Sequence, residues 1–239
     1  MGLSDIFTFS LSGLQAAADR QAVSAHNTAN LNTAGFKAQR FTQADQKTGG
    51  TKTHSIDTMG QAGPILRTGG AIDLTVAGNG FFQVQTPSGT AYTRDGSFNL
   101  DGQGRIADSS GNLIQPQITV PAGSQSVQVT SNGQVSAVLA DGRTQNIGQI
   151  ELAGFANAGG LARSGGNLFS ETSASGPSIA GVPGQGAFGA LVPGAVEGSN
   201  VDIATEMVEQ IISQRSFEAN TKPIRAADEM LGTLLDIKQ

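Results

Sequence analysis

The sequence predicts an α+β protein in which N- and C-terminal helices flank a central antiparallel, glycine-rich β domain. Three observations carry that expectation. Apolar residues recur three and four apart at both ends of the chain, as on one stripe of a helix. Between the ends, short alternating runs are separated by Asn-Gly and Asp-Gly dipeptides, which suit the positive φ values of tight hairpins. The 239 residues include 33 glycines, one tyrosine and no tryptophan, a turn-rich chain with few aromatic anchors.

The first segment is residues 1–38. Phe7, Leu11, Leu14, Ala18, Gln21 and Ala25 follow the four-three alternation of a coiled-coil seam. The seam fades from Phe and Leu to Ala, which lets helices approach closely. The helix is expected from Ser4 or Asp5 to about Thr28, ending in the Asn- and Thr-rich stretch Asn27–Asn32. Those side chains compete for backbone hydrogen bonds, and Gly35 supplies a positive φ. Phe36 is expected to fold back onto the helix as a hydrophobic pin.

Residues 39–70 read as an extended linker. Gln43 to His54 is polar, carries Gly49-Gly50 and shows little periodicity. Residues 71–196 are the β-rich domain. It opens with the alternating Ile72–Val76, turns at Gly78-Asn79-Gly80 and continues through Phe81–Val84. Later strands are expected at Ser97–Leu100, Ser126–Thr130, Gln134–Leu139 and Gly148–Phe155, with strand order left open. From Ala156 the chain returns as loops and short strands.

The last segment, residues 197–239, is a second helix. Ser199 or Asn200 suits its cap, and Asp202 sits at the positive end of its dipole. Ala204, Met207, Val208, Ile211, Ile212, then Ile224, Ala227, Leu231 and Leu234 form its apolar stripe, leaving Glu206, Glu209, Glu218 and Lys222 to water. Pro223 has no N–H for the carbonyl of Ala219 and crowds it. A kink or break near Asn220–Lys222 is therefore predicted, with Pro223 opening a further helix. Paired terminal helices around a β middle imply a subunit that joins neighbours through its ends. The expected subunit interface is Phe7, Leu11, Leu14, Ala18, Ala25, Val208, Ile211, Ile224, Leu231 and Leu234.

Several functions are disfavoured. The formal net charge of −5, with no basic cluster, argues against nucleic acid. No stretch approaches the about 20 apolar residues of a membrane span, so no membrane insertion is expected. Met1–Ser10 has no basic region and carries Asp5, unlike a cleaved secretory signal, and Ile6 stands where myristoylation wants Ser or Thr. With no cysteine there is no disulfide framework. Gly184–Gly189 matches the dinucleotide-binding glycine pattern, but Pro183 before it and Pro193-Gly194 after it leave no space for the helix that pattern needs. His26 and His54 lack partners at metal-ligand spacing. Asp95, Asp101 and Asp108 are explained by turn chemistry, and Arg94-Asp95 by a local ion pair or turn contact. No catalytic, cofactor or metal residues are expected, and no enzyme.

Four separated blocks carry a family resemblance. Asn27-Thr28-Ala29-Asn30 through Gly35-Phe36-Lys37 is the first, with Asn27, Asn30, Gly35 and Phe36 as its marks. Gly78–Val84, with Gly80 and Phe81, and Tyr92–Phe98, with Asp95 and Gly96, are the β-domain blocks. Glu197–Asp202, with Asn200, and the later Gln214–Glu218 and Ala227–Leu231 complete the set. In this order the chain resembles the bacterial flagellar rod and hook proteins. The β-domain blocks are nearest the distal rod members. The segment between Phe41 and Ile72 is short for a distal member, and Arg20–Ala25 is similar to a proximal rod subunit.

The resemblance implies a structural axial subunit that polymerises helically through its terminal helices and transmits motor torque. It implies a place in the basal body, as part of the periplasmic rod, and export by the flagellar type III apparatus without a cleaved signal. Its implied partners are copies of itself, neighbouring rod and hook subunits, that export apparatus and, left open, the rings around the rod. The alternatives are a proximal rod or hook-type subunit and, from another class, a self-contained β-rich extracellular binding module.

Overall fold

The computed structural model describes residues 3–47 and 49–236. Two compact units divide the chain. The first takes the described residues up to Leu31, Ala38–Met59 and those from Val201 onward; the second takes Asn32–Lys37 and Gly60–Asn200.

In the first unit, α1 (Leu3–Ala29) and α2 (Ile203–Asp236) pack side by side. They run antiparallel, because Gly13 lies against Asn220 while Ser24 Oγ donates to the Glu206 carbonyl at 3.1 Å. The contact is made of small and polar residues. Ser10, Ala16, Ala17 and Ser24 are buried on α1, and Ser213 and Ala227 on α2. A Cβ on Gly13 would come within 2.5 Å of the Asn220 amide oxygen, so glycine sets how closely the helices approach there.

Residues 39–58, expected as an extended linker, instead form an antiparallel hairpin of β1 (Gln39–Asp45) and β2 (Thr51–Thr58). Both strands alternate half-buried and exposed positions, but the half-buried ones are mostly polar. A period of two therefore exists without a hydropathy signal. The hairpin packs on α1, where Thr53 Oγ1 donates to Asp19 and the Thr51 N–H to Ser12 Oγ. Gly49 and Gly50 hold positive φ in its turn, against Phe9 and Ser12.

Two features of α2 differ from expectation. Its cap is Asp202, whose carboxylate accepts the Ala204 N–H at 3.0 Å and the Thr205 hydroxyl at 3.0 Å. Neither Ser199 nor Asn200 serves that role. The helix also continues unbroken through Pro223, so no second helix begins there. Ala219 and Pro223 are both exposed, so the missing bond falls on the solvent side of α2. The neighbouring turn is reinforced by side chains: Asn220 Nδ2 donates to the Ser216 carbonyl and Thr221 Oγ1 to that of Glu218.

The second unit is antiparallel β throughout its pairings. β3 (Ile65–Arg67) pairs with β18 (Ala195–Glu197), and β4 (Leu74–Ala77) with β17 (Ala190–Pro193). A nine-stranded sheet follows the path β14 (Ala162–Gly165), β15 (Leu168–Ser170), β6 (Gly89–Thr93), β5 (Phe81–Thr86), β9 (Leu113–Gln115), β8 (Ile106–Ala107), β7 (Asn99–Leu100). From this path β13 (Leu152–Gly154) pairs with both β5 and β16 (Ile179–Gly181). β10 (Ser124–Val129), β11 (Gln134–Leu139) and β12 (Thr144–Gln149) form a separate meander. The core gathers Leu74, Val76, Phe82, Val84, Ile114, Val135, Ile150 and Leu191, with Phe98 edge-on to Phe82 at 5.1 Å. A second cluster stacks Phe81 and Tyr92 edge-on against Phe155.

Candidate assembly surface

The helix pair meets through small and polar residues and leaves larger apolar ones exposed. Glu206 and Glu209, expected to face water, are half-buried, while Met207, Val208 and Ile211 are 57%, 55% and 57% exposed. On a helix these residues sit on the side of α2 opposite Ser213 and Asn220, the positions that meet α1. Of the expected interface residues, Leu11, Ala18, Ala25, Val208, Ile211 and Leu231 are exposed, and Phe7, Leu14 and Ile224 are half-buried. The side chain of Leu234 lies outside the described residues. A groove between the two helices is lined by Ala17, Ala18, Ala22 and Ala25 with Ser213 and Phe217, and almost all of its surface is apolar.

Asn27 holds this unit together from the end of α1. It is 1% exposed, its Nδ2 donates to the Gln39 carbonyl and to Glu206 Oε1, both at 2.8 Å, and its Oδ1 accepts the Gln39 N–H at 2.8 Å. One amide thus pairs with both backbone groups of the first β1 residue and reaches α2. No Asp in that place could donate to either acceptor. Asn30 donates to the His26 carbonyl at 2.9 Å, as a side-chain closure of the helix end.

The remaining family-type residues meet inside the second unit. Residues 32–37 enter it and are held between the Arg94–Gly96 turn and β18. The Gly35 N–H donates to the Glu197 carbonyl at 2.7 Å, and a Cβ on Gly35 would collide with the backbone of Arg94 and Asp95. Gly35 has φ +66°, so both space and conformation require glycine. Phe36 is buried under the Arg163 guanidinium, 5.0 Å from its ring centre, within the second unit. That position departs from the expected pin onto the helix. Gly96 abuts the Leu74 carbonyl, and Gly80, at φ +129°, faces the Leu152 side chain. Asn200 Nδ2 donates to the Gln61 carbonyl at 3.0 Å.

At the centre of this node Lys37 Nζ donates to Glu197 Oε1, and Arg94 Nη1 faces Glu197 Oε2 at 3.6 Å. Arg94 therefore pairs with Glu197 rather than with its neighbour Asp95. Two cations face one buried carboxylate, and carbonyl dipoles take up the excess charge. Lys37 Nζ also donates to the Gln61 carbonyl at 2.8 Å, and Arg94 donates to those of Val76 and Gly78. Arg94 additionally lies 5.1 Å from the Phe81 ring centre. Burial holds the Lys37 and Arg94 pKa values below their ordinary ones, against the opposing pull of Glu197. Burial likewise raises that of Asp95, whose carboxylate accepts the Ser97 N–H at 3.0 Å. Spacing gave no sign of this triad, because its members lie in three separate blocks.

Residues 184–189 close as a turn, with the Gly184 N–H donating to the Gly189 carbonyl at 3.1 Å and no helix following before β17. Among the described residues no group of three or more His, Asp or Glu side chains is placed to hold a metal ion. No described helix is long and apolar enough to cross a membrane.

The β unit holds residues 32–37, and the helix pair leaves Met207, Val208 and Ile211 exposed, which makes that face a candidate assembly surface. The comparisons give the class of protein. Residues 7–37 match the family described as flagella basal body rod protein, residues 75–137 the flagellar hook protein FlgE/F/G D1 domain, and residues 192–237 the flagellar basal body rod FlgEFG protein C-terminal. The chain is 38% identical to the flagellar basal-body rod protein FlgG of Bacillus subtilis (strain 168), over 96% of this chain and 97% of that protein. It is also 38% identical to FlgG of Caulobacter vibrioides, over 92% of this chain and 94% of that protein. The flagellar hook protein FlgE of Escherichia coli (strain K12) is 42% identical, but over 47% of this chain and 28% of its own length. The chain belongs to the flagellar basal-body rod and hook protein family, on the distal-rod FlgG side of it.

Proposed function

We propose that the protein is a structural axial subunit of the flagellar basal-body rod. It assembles helically through the outward faces of α1 and α2, with copies of itself and with neighbouring rod and hook subunits, and so carries motor torque. It works without catalysis, in the periplasmic part of the basal body, after export by the flagellar type III apparatus with its N-terminus uncleaved. One observation supports this most: the first turns of α2 expose Met207, Val208 and Ile211 while Glu206 and Glu209 are half-buried. A self-contained binding module would bury that stripe, at roughly 25 cal/mol per Å² of apolar surface removed from water. Near full-length likeness to rod proteins, against 28% coverage of the hook protein, favours rod over hook.

Electron microscopy and sedimentation of the purified protein at rising concentration test the reading. Filaments are expected above a critical concentration for the wild-type chain, and none for Ile211→Asp. A wild-type chain that stays monomeric at every concentration would refute it.

A further inference from the structure

The second unit holds Asn32–Lys37 as a guest, since Leu31 before the segment and Ala38 after it belong to the first unit. The segment joins no sheet. It folds as a turn of its own, in which the Phe36 N–H donates to the Thr33 carbonyl at 3.3 Å and Gly35 takes the place that wants a positive φ. The walls around it do not depend on it. Glu197, which receives Lys37, also accepts the Gly63 N–H at 2.9 Å and faces Arg94. Arg163, which covers Phe36, also lies 5.7 Å from the Phe169 ring centre. Asn167 donates its Nδ2 to the Ala34 carbonyl at 2.9 Å, while its own carbonyl accepts Thr93 Oγ1 at 3.0 Å. Each wall residue thus has a second partner inside the same unit and keeps its setting when the guest leaves. That is the preorganisation of a binding site.

We propose that these walls form a peptide-binding slot for a turn segment of the order small residue, glycine, aromatic, cation. One chain fills it with its own Ala34–Lys37, and the slot takes the same segment from a second copy when its own is withdrawn. The chemistry selects this ligand place by place. At the glycine a Cβ collides with the backbone of Arg94 and Asp95, and φ is +66°. At the aromatic place a ring stacks on the Arg163 guanidinium. At the last place a long cationic side chain meets Glu197 and the Gln61 carbonyl, whereas an acidic one would face a buried carboxylate. The resident segment is favoured by its tether, which gives it an effective concentration on the order of millimolar. Exchange of an identical element between copies therefore needs the resident segment weakened or the copies crowded. Every contact lies within the second unit, so the slot stands apart from the axial-subunit reading.

The full chain carrying Phe36→Ala, whose own segment docks weakly, tests the slot. The probe is a blocked peptide with the sequence of residues 32–38, standing for the segment of a second copy. It has no tyrosine, so Tyr92, which packs in one cluster with Phe169, reports the chain alone. At a few millimolar the peptide is expected to raise the melting midpoint of the Tyr92 signal in the variant by about 3 °C, as a ligand near tenfold its Kd does for a chain of this size. The wild-type midpoint should stay where it is, because its slot is filled. Peptides carrying Gly35→Ala or Lys37→Glu should need at least about tenfold more for the same shift. If Phe36→Ala unfolds the chain outright, the unaltered peptide is expected to restore the native Tyr92 signal. Neither a shift nor a restoration at up to about 10 mM, above the effective concentration of a tethered segment, would overturn the slot. So would an equal response to the Gly35→Ala peptide. Either result leaves the axial reading untouched.

Discussion

Lys37 and Glu197, separated by 160 residues, form an ion pair whose side chains are 4% and 2% exposed. The pair ties the segment leaving α1 to the strand that leads back to α2, with both partners inside the second unit. Removing Glu197 leaves Lys37 and Arg94 buried without a counter-charge. Glu197→Ala is therefore expected to destabilise the second unit by about 3–5 kcal/mol, the usual result of breaking a buried pair from one side. Lys37→Met should cost less, because Arg94 still faces the carboxylate. Tyr92, the single tyrosine in a chain without tryptophan, lies buried in that unit and reports its unfolding by fluorescence. Equal losses for the two variants in urea titrations would contradict the triad.

Asp95 gives a pH-dependent prediction. Its carboxyl pKa is raised above 3.8, chiefly by burial, so the folded chain holds this proton where the unfolded chain has released it. Stability from this group is thus greatest below pH 3.8 and falls as pH rises through the raised value. Asp95→Asn keeps an oxygen for the Ser97 N–H and removes the buried charge. The variant should be more stable than wild type at neutral pH, and the difference should shrink steadily on acidification. A difference that grows on acidification would reverse the assignment.

The four family-type blocks were legible in the sequence because each demands a residue that few others replace. Gly35 has no space for a Cβ, Asn27 must donate and accept at once, and Asp95 uses its carboxylate to accept the Ser97 N–H in the turn that Gly96 completes. The two helices were legible from their period. The hairpin at 39–58 was not, since polar residues fill its half-buried face. The Lys37–Glu197–Arg94 node was not, since electrostatic partners in different blocks leave no spacing. The inner face of the helix pair did leave a signal: Gly13, Ala16, Ala17 and Ser213, Asn220, Ala227 form small and polar stripes. Larger apolar residues beside them carry the stronger periodic signal.

Pro223 sits inside α2, exposed, with the helix intact around it. Pro223→Ala restores an N–H for the Ala219 carbonyl and removes the ring that crowds it. The gain should fall short of the interior-proline penalty of about 3 kcal/mol, because the site is on the solvent side and side-chain bonds from Asn220 and Thr221 already reinforce the neighbouring turn. A rise in the helical melting midpoint of the purified chain is expected. A fall would mean that the proline ring makes a contact that α2 needs.

Gly13 and Leu11 lie two residues apart on α1 and should separate folding from assembly. Gly13 faces α2, where a Cβ would press on the Asn220 amide, while Leu11 is 54% exposed. Gly13→Leu must push the helices apart or displace Asn220, at a cost of about 1–3 kcal/mol for overpacking. Its helical signal should melt at lower temperature while Tyr92 fluorescence, a report on the other unit, still shows a folded environment. Leu11→Asp places a charge on a surface already open to water, so subunit stability should change by no more than about 0.5 kcal/mol. Filament formation is another matter, because burying an unpaired carboxylate between copies costs several kcal/mol. The expected pattern is a weakened helix pair for Gly13→Leu and a stable but non-assembling chain for Leu11→Asp. Filaments from Leu11→Asp at the wild-type critical concentration would remove the Leu11 face from the assembly surface and leave the outward strip of α2 to carry it.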